Sequence, residues 1–186
     1  SPLCEDFLSE DEIRKMEKFY PLHAYVCHEC FLVQLEEFAT PQEIYKEYYY
    51  FSSYSDSWLK HCKKYASMAK ERYNLKSNSL VVELASNDGY LLQYFMDENI
   101  PVLGIEPSPQ VARYAIDNGV PTETKFFGGT TVGSIEEKYG QADLIIGNNV
   151  LAHVPNINDF VASTKRLLKP NGAINMEFPL LLNLIK

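Results

Sequence analysis

The chain has 186 residues, a formal net charge of −8, 46% hydrophobic and 23% charged residues, enough to bury one sheet-and-helix core plus a small appendage. A pI near 5.0 argues against nucleic acid as the main ligand, which would need clustered Lys and Arg; the run Lys60 to Lys64 reads as a solvated helix face. No apolar run is long enough for a bilayer and no charged-then-apolar leader opens the chain, so a soluble, cytoplasmic protein with neither nucleic-acid nor membrane partners is expected. Four unevenly spaced cysteines, Cys4, Cys27, Cys30 and Cys62, point to a reducing compartment rather than a disulfide framework. Ser1 in place of Met and the apolar tail Leu180-Leu181-Leu182-Asn183-Leu184-Ile185 lead us to expect trimming at both ends.

Ser9-Glu10-Asp11-Glu12 has the spacing of a capping box and predicts a short helix over 10–18. Leu22 to Val26 and Phe31 to Leu35 read as two strands flanking the knuckle Cys27-His28-Glu29-Cys30, paired as a hairpin. Thr40-Pro41 opens another short helix, with Thr as cap and Pro at its first position. Tyr45, Tyr48, Tyr49, Tyr50, Phe51 and Tyr54 then crowd one connector with interleaved serines; they read either as packing against the main domain or as hydroxyls lining a cleft. From Ser55 to about Tyr73, Trp58, Leu59, Cys62, Tyr65, Ala66 and Ala69 recur at three and four, which makes an amphipathic helix leading into a sheet.

Five apolar strand candidates follow, at about 80–84, 102–106, 123–127, 142–147 and 173–178. Helical patterns at 89–98, 108–118, 130–138 and 157–168 separate them, with Ser108 and Asn156 as caps and Gly119, Gly140 and Gly172 as stops. Alternation of this kind predicts an α/β fold: a doubly wound, mainly parallel Rossmann-like sheet with right-handed crossovers, its ligand at the switch between the first and fourth strands. Residues 1–40 then form the appendage, 41–75 an aromatic linker and helix, and 76–186 the ligand-binding sheet.

The first strand runs through Leu80-Val81-Val82-Glu83-Leu84 into Ala85-Ser86-Asn87-Asp88-Gly89, the strand–turn–helix by which such sheets hold a nucleoside. Glu106 ends the second strand 23 positions after Glu83, where a carboxylate accepts two hydrogen bonds from a ribose diol and repels a phosphorylated one. Ala85 and Asn87 stand where a pyrophosphate-binding turn needs bare glycine, and only Gly89 survives. S-adenosylmethionine, with an amino acid and a sulfonium in place of phosphates, fits that turn better than NAD. Read without the second strand, the turn is an ordinary one capped by Asn87 or Asp88. Further cofactor contacts are expected from Glu83, Ala85, Ser86, Asn87, Gly89, Pro107, Asn148 and Asn149, and from Phe127, whose alternative is core packing.

The ordered set Val82-Glu83-Leu84-Ala85-Ser86-Asn87-Asp88-Gly89, Gly104-Ile105-Glu106-Pro107-Ser108, Ala142-Asp143-Leu144-Ile145-Ile146-Gly147-Asn148-Asn149-Val150-Leu151-Ala152-His153-Val154-Pro155 and Leu168-Lys169-Pro170-Asn171-Gly172 resembles the S-adenosylmethionine-dependent C-methyltransferases of deoxysugar biosynthesis. Upstream, Cys27-His28-Glu29-Cys30-Phe31-Leu32-Val33-Gln34-Leu35 and Tyr50-Phe51-Ser52-Ser53-Tyr54-Ser55 resemble that family's zinc domain and linker. The resemblance implies a zinc domain, of which residues 1–40 are part, a central cofactor sheet, and a carboxyl-terminal domain absent from these residues. It makes Cys27 and Cys30 metal ligands, half of the four that tetrahedral zinc needs, so zinc is expected in the intact protein.

By the same resemblance the partner is a small molecule, a nucleotide-linked 4-keto sugar. It loses a proton beside its carbonyl, and the resulting enolate attacks the sulfonium methyl. The family's principal base would lie beyond Lys186, which leaves His153 and the hydroxyls of Tyr48 and Tyr50 as the catalytic candidates here. Other readings are a methyltransferase of a different small molecule, a zinc-stabilised module that binds the cofactor without chemistry, and, outside these, a nicotinamide oxidoreductase.

Overall fold

A computed structural model describes residues 1–3, 7–45, 48 and 50–185; Cys4 and Tyr49 lie outside the described residues. The chain divides into two compact units, Ser1–Tyr50 and Phe51–Lys186. Among the described residues no helix is long and apolar enough to cross a membrane.

In the first unit, β1 (Ala24–Val26) and β2 (Val33–Leu35) pair antiparallel with Ala24 opposite Leu35. The Cys27 amide donates to the Leu32 carbonyl at 3.0 Å and the Phe31 amide to the Cys27 carbonyl at 3.0 Å, closing the knuckle between them. Thr40 caps α1 (Pro41–Ile44) through a full capping box with Glu43. The helix expected over 10–18 is instead a set of turns. Its box forms, the Ser9 amide donating to Glu12 at 2.9 Å, but Ile13 and Met16 stay exposed, and a helical nucleus that buries no face does not propagate.

The second unit opens with a 3-10 turn at Ser52–Tyr54 and α2 (Asp56–Arg72), capped by Ser55, which accepts from the Trp58 amide. Cys62, Ala66 and Ala69 form its buried stripe. Five strands follow: β3 (Val81–Leu84), β4 (Val102–Ile105), β5 (Thr122–Glu123), β6 (Ala142–Asn148) and β7 (Leu168–Glu177), in the order β5-β4-β3-β6-β7 and all parallel. Crossover helices α3 (Leu92–Asp97), α4 (Pro109–Asp117), α5 (Val132–Tyr139) and α6 (Ile157–Leu167) cover the faces, and α7 (Leu181–Ile185) ends the chain. Every residue of β3 and β4 is buried, as parallel strands covered on both sides must be. One core holds Val81, Leu144, Ile146 and Phe95 with α2; the other holds Val82, Leu84, Leu103 and Ile145 with Ile135 and Phe160.

Two elements depart from the expected bounds. The third strand stops at Glu123 because the Lys125 amide turns back to the Glu123 carbonyl at 3.1 Å and the Thr131 hydroxyl takes the Phe126 carbonyl at 2.8 Å. Phe127 leaves the ladder for the core, where it meets Phe160 edge-on at 5.6 Å. The last strand starts earlier than expected, directly after α6. Between Ala142 and Leu144 its partner jumps from Leu168 to Ala173, and Pro170 sits in that bulge, where a missing amide costs no ladder bond. Gly172 therefore stops no helix: it lies in the strand, where a Cβ would come 2.9 Å from the Ala142 carbonyl.

Candidate functional site

The order β4-β3-β6 puts the topological switch between β3 and β6, which is where a crevice opens at the carboxyl ends of the strands. The loop leaving β3 is wound tightly: Ala85 (φ 54°), Asn87 (φ 50°) and Gly89 (φ 80°) all hold left-handed conformations. Gly89 has no substitute there, because a Cβ would also stand 2.8 Å from Val120. The loop rests on β4, with the Ser86 amide donating to the Ile105 carbonyl at 3.2 Å, and a Cβ at Gly104 would collide with the Ser86 hydroxyl.

Glu106 faces this loop. One carboxylate oxygen accepts from the Asn87 amide at 2.9 Å and the other from the Ser108 amide at 2.8 Å. A carboxylate offers four lone-pair directions, so each oxygen keeps one for a further donor. The Ser86 and Ser108 hydroxyls are buried nearby without partners, as is Asp88 Oδ1. Each unpaired polar atom in a core calls for a partner, and these lie on the loop after β3 and beside the acid that faces it.

The electrostatics are one-sided. Burial pushes Glu83 well above the ordinary carboxylate range; the Tyr90 hydroxyl offsets this in part, while Asp88 and Glu106 push further. Glu106 is also raised, by burial first and by Asp88, against the two amides that favour its charge. The raised Glu83 and Glu106 mean that a second negative charge is resisted beside this loop, a resistance that a ligand carrying positive charge, as a sulfonium or an ammonium does, relieves.

Asn87 and Asp88 do not cap α3, whose amino end has no side-chain cap. Asn87 Oδ1 accepts from the Ser52 amide at 2.9 Å and Asp88 Oδ2 from the Ser53 amide at 3.0 Å. These side chains therefore clasp the 3-10 turn to the loop, and Phe51 extends the contact by meeting Tyr114 edge-on at 5.4 Å.

At the end of β6, Asn148 donates to the Tyr90 hydroxyl at 3.2 Å, while Asn149 (φ 54°) turns the chain with its amide on the Glu177 carbonyl at 2.7 Å. Pro107 follows Glu106, half-buried, and His153 is exposed on the turn after β6. Phe127 lies past the end of β5, against Phe160. In the first unit, the rings of Tyr48 and Tyr50 lie 6.4 Å apart. The fold thus gathers Glu83, Ala85, Ser86, Asn87, Gly89, Glu106 and Pro107 at one strand edge, with Asn148 joined to them through Tyr90. Sequence reasoning passed over Tyr90 and the Ser108 hydroxyl. Adjacency to Gly89 and Glu106 was their only signal.

Cys27 and Cys30 lie on the knuckle, where the Cys30 and Glu29 amides and the Cys30 thiol lower the Cys27 thiol below its usual range. Amides aimed at a sulfur suit a metal thiolate. Two thiols make half of a tetrahedral set, and among the described residues no cluster of three or more His, Cys, Asp or Glu is assembled for a metal.

Comparison with known proteins agrees with this geometry. Residues 1–45 match a family described as "Putative zinc binding domain" and residues 82–174 one described as "Methyltransferase domain". The chain is 31% identical over its whole length to the C-methyltransferase NovU of Streptomyces niveus and spans 44% of that relative. Among solved structures it is similar to the PH0226 protein of Pyrococcus horikoshii (TM-score 0.55, 18% identity, 73% of this chain and 61% of that one). It is also similar to an S-adenosylmethionine-dependent methyltransferase of Clostridium acetobutylicum (TM-score 0.52, 12% identity, 62% and 48%). These two likenesses establish the Rossmann-like methyltransferase fold. With half of its length matched to the methyltransferase-domain family, and that half carrying the strand-end acid and the loop that faces it, the chain belongs to that family.

Proposed function

We propose that the chain is the cofactor-binding part of an S-adenosylmethionine-dependent C-methyltransferase acting on a nucleotide-linked 4-keto-deoxysugar. The observation that carries the cofactor is Glu106, fixed by two amides at the end of β4 with lone pairs to spare for a ribose diol. Likeness to a C-methyltransferase supports transfer to carbon, and the motif resemblance supports the keto sugar. When bound, the cofactor supplies an electrophilic methyl group on a sulfonium.

The residues divide the work. Glu106 orients the ribose, the Ser86 and Ser108 hydroxyls complete its hydrogen bonds, and Glu83 with Asp88 receives the cationic amino-acid end. Burial of these groups excludes water from the reacting atoms and strengthens each contact. Transfer to carbon requires a proton to leave the position beside the acceptor's carbonyl, with the carbon held in line with the methyl. On sequence grounds we keep His153, Tyr48 and Tyr50 as candidates for handling that acceptor, and Cys27 and Cys30 as the residues that would hold zinc. Calorimetry with S-adenosylhomocysteine tests the reading. We expect binding, weakened by about 1–3 kcal/mol in Glu106→Ala. Absence of heat with either cofactor form would reject the reading, and unchanged affinity in the variant would remove Glu106 from the site.

A further inference from the structure

Glu83 is fully buried on β3. Asp88 and Tyr90 of the following loop, Glu106 after β4, and Cys62 and Tyr65 of α2 all act on it, and its ladder neighbours are Gly104 and Ile146. None of these carries positive charge. The cavity that Cys62, Tyr65 and Asn148 line adds the Glu177 carboxylate and one group able to become a cation, His61, which is exposed and stacked on Trp58 at 5.1 Å. The hydrogen bonds nonetheless run toward Glu83. An amide nitrogen only donates, so Asn148, 3.2 Å from the Tyr90 hydroxyl, makes that oxygen an acceptor. The single Tyr90 hydrogen is left for the Glu83 carboxyl, to which it bonds. Asn148 and the buried Tyr90 thus form a chain of donors across the switch, ending on a carboxyl group with no cation to match it. Donors arranged this way favour a carboxylate, whereas burial favours the acid.

We propose that Glu83 gives up its proton when the ammonium of an amino-acid-bearing ligand settles on this loop, and that Tyr90, backed by Asn148, is the positioning residue that makes the buried carboxylate tolerable. The step balances: the Glu83 O–H bond breaks, its electron pair stays on the carboxylate, and the proton leaves to the buffer as the incoming positive charge takes its place. Until then burial, Asp88 and Glu106 keep the group an acid. Tyr90 acts on the ligand only through Glu83. The proposal rests on the methyl-donor reading and adds to it a change of protonation at a named atom. It also fixes the sign of the pH dependence. Because binding releases a proton, affinity climbs with pH until Glu83 of the free chain ionises unaided, and is level beyond that point.

Calorimetry with S-adenosylhomocysteine counts the proton directly. Titrations at about pH 6 in two buffers, one of small and one of large ionisation enthalpy, differ in heat in proportion to the protons released. The expected count is about one per ligand bound in the unmodified chain and about none in Glu83→Gln. Tyr90→Phe keeps the ring and removes the donor, so it should move the rise of affinity to higher pH by about one unit and leave the level beyond it unchanged. A merely structural loss would lower affinity by the same factor at every pH. Equal heats in both buffers, a proton still released by Glu83→Gln, or a Tyr90→Phe profile lowered without being moved would overturn the assignment. Heat without a proton leaves the methyl-donor reading standing; no heat in either buffer overturns that reading and this proposal with it.

Discussion

Ala85 holds φ 54°, a conformation that costs a residue with a Cβ about 1–2 kcal/mol. The cost persists because the next amides are committed to β4 and to Glu106. Ala85→Gly should therefore stabilise the chain by up to about 1 kcal/mol in urea unfolding, less the entropy that glycine adds to the unfolded state. Gly89→Ala should destabilise it by more than that, since both φ and Val120 oppose a Cβ. The cysteines give a second prediction at this scale. Burial pushes the Cys62 thiol up to about 12, whereas amides lower that of Cys27. With a chelator present at pH 8, a disulfide reagent should modify Cys27 first and Cys62 only after unfolding, as mass spectrometry of the labelled peptides would show. Glu106 was legible from its distance to the turn. That Asn87 and Asp88 bind a turn 35 residues upstream was not, because no local pattern encodes a long-range clasp.

That clasp is the feature of the elements most open to test. Two hydrogen bonds join the Ser52–Tyr54 turn to the loop after β3, and each amide has a side-chain acceptor. Replacing Asn87 or Asp88 by Ala should speed hydrogen exchange at Ser52 or Ser53 respectively, by about tenfold for a bond worth about 1 kcal/mol or slightly more, while exchange in β3 and β4 stays slow. Uniform acceleration across the sheet would instead mean that the loop itself had unravelled. The same elements show what periodicity reveals. α2 was readable because Cys62, Ala66 and Ala69 repeat at helical spacing and are buried, and β3 because four consecutive residues are apolar or acid and all are buried. The run 123–127 misled because Phe127 is apolar for the sake of a helix, packing on Phe160, and a short apolar run does not say which kind of neighbour it serves.

Across the second unit, the loop's carboxyl groups couple stability to pH and in turn to the site. Glu83 is fully buried and held protonated well above the ordinary carboxylate range, chiefly by burial. Below about pH 4.5, where the unfolded chain is protonated too, this group leaves stability untouched. As pH rises from there toward the raised folded value, the unfolded chain releases its proton and the folded one keeps it, so folding weakens steadily. Glu123 acts in the opposite sense. Lys138 and Tyr139 hold it down to about 2, so its contribution is fully present above about pH 4.5 and fades as pH falls from there through 2. From pH 5 to 8 the Glu83 effect is therefore not offset by Glu123. Glu83→Gln, which removes the titration and keeps the shape, should raise the urea midpoint at pH 8 by the equivalent of about 1–3 kcal/mol and change it little at pH 5. An equal shift at both values would mean that Glu83 has ordinary acidity in the fold, and the cationic-ligand argument built on it would lose its electrostatic ground. If the slope does flatten, the variant should also bind S-adenosylhomocysteine more weakly, a gain in stability set against a loss at the site.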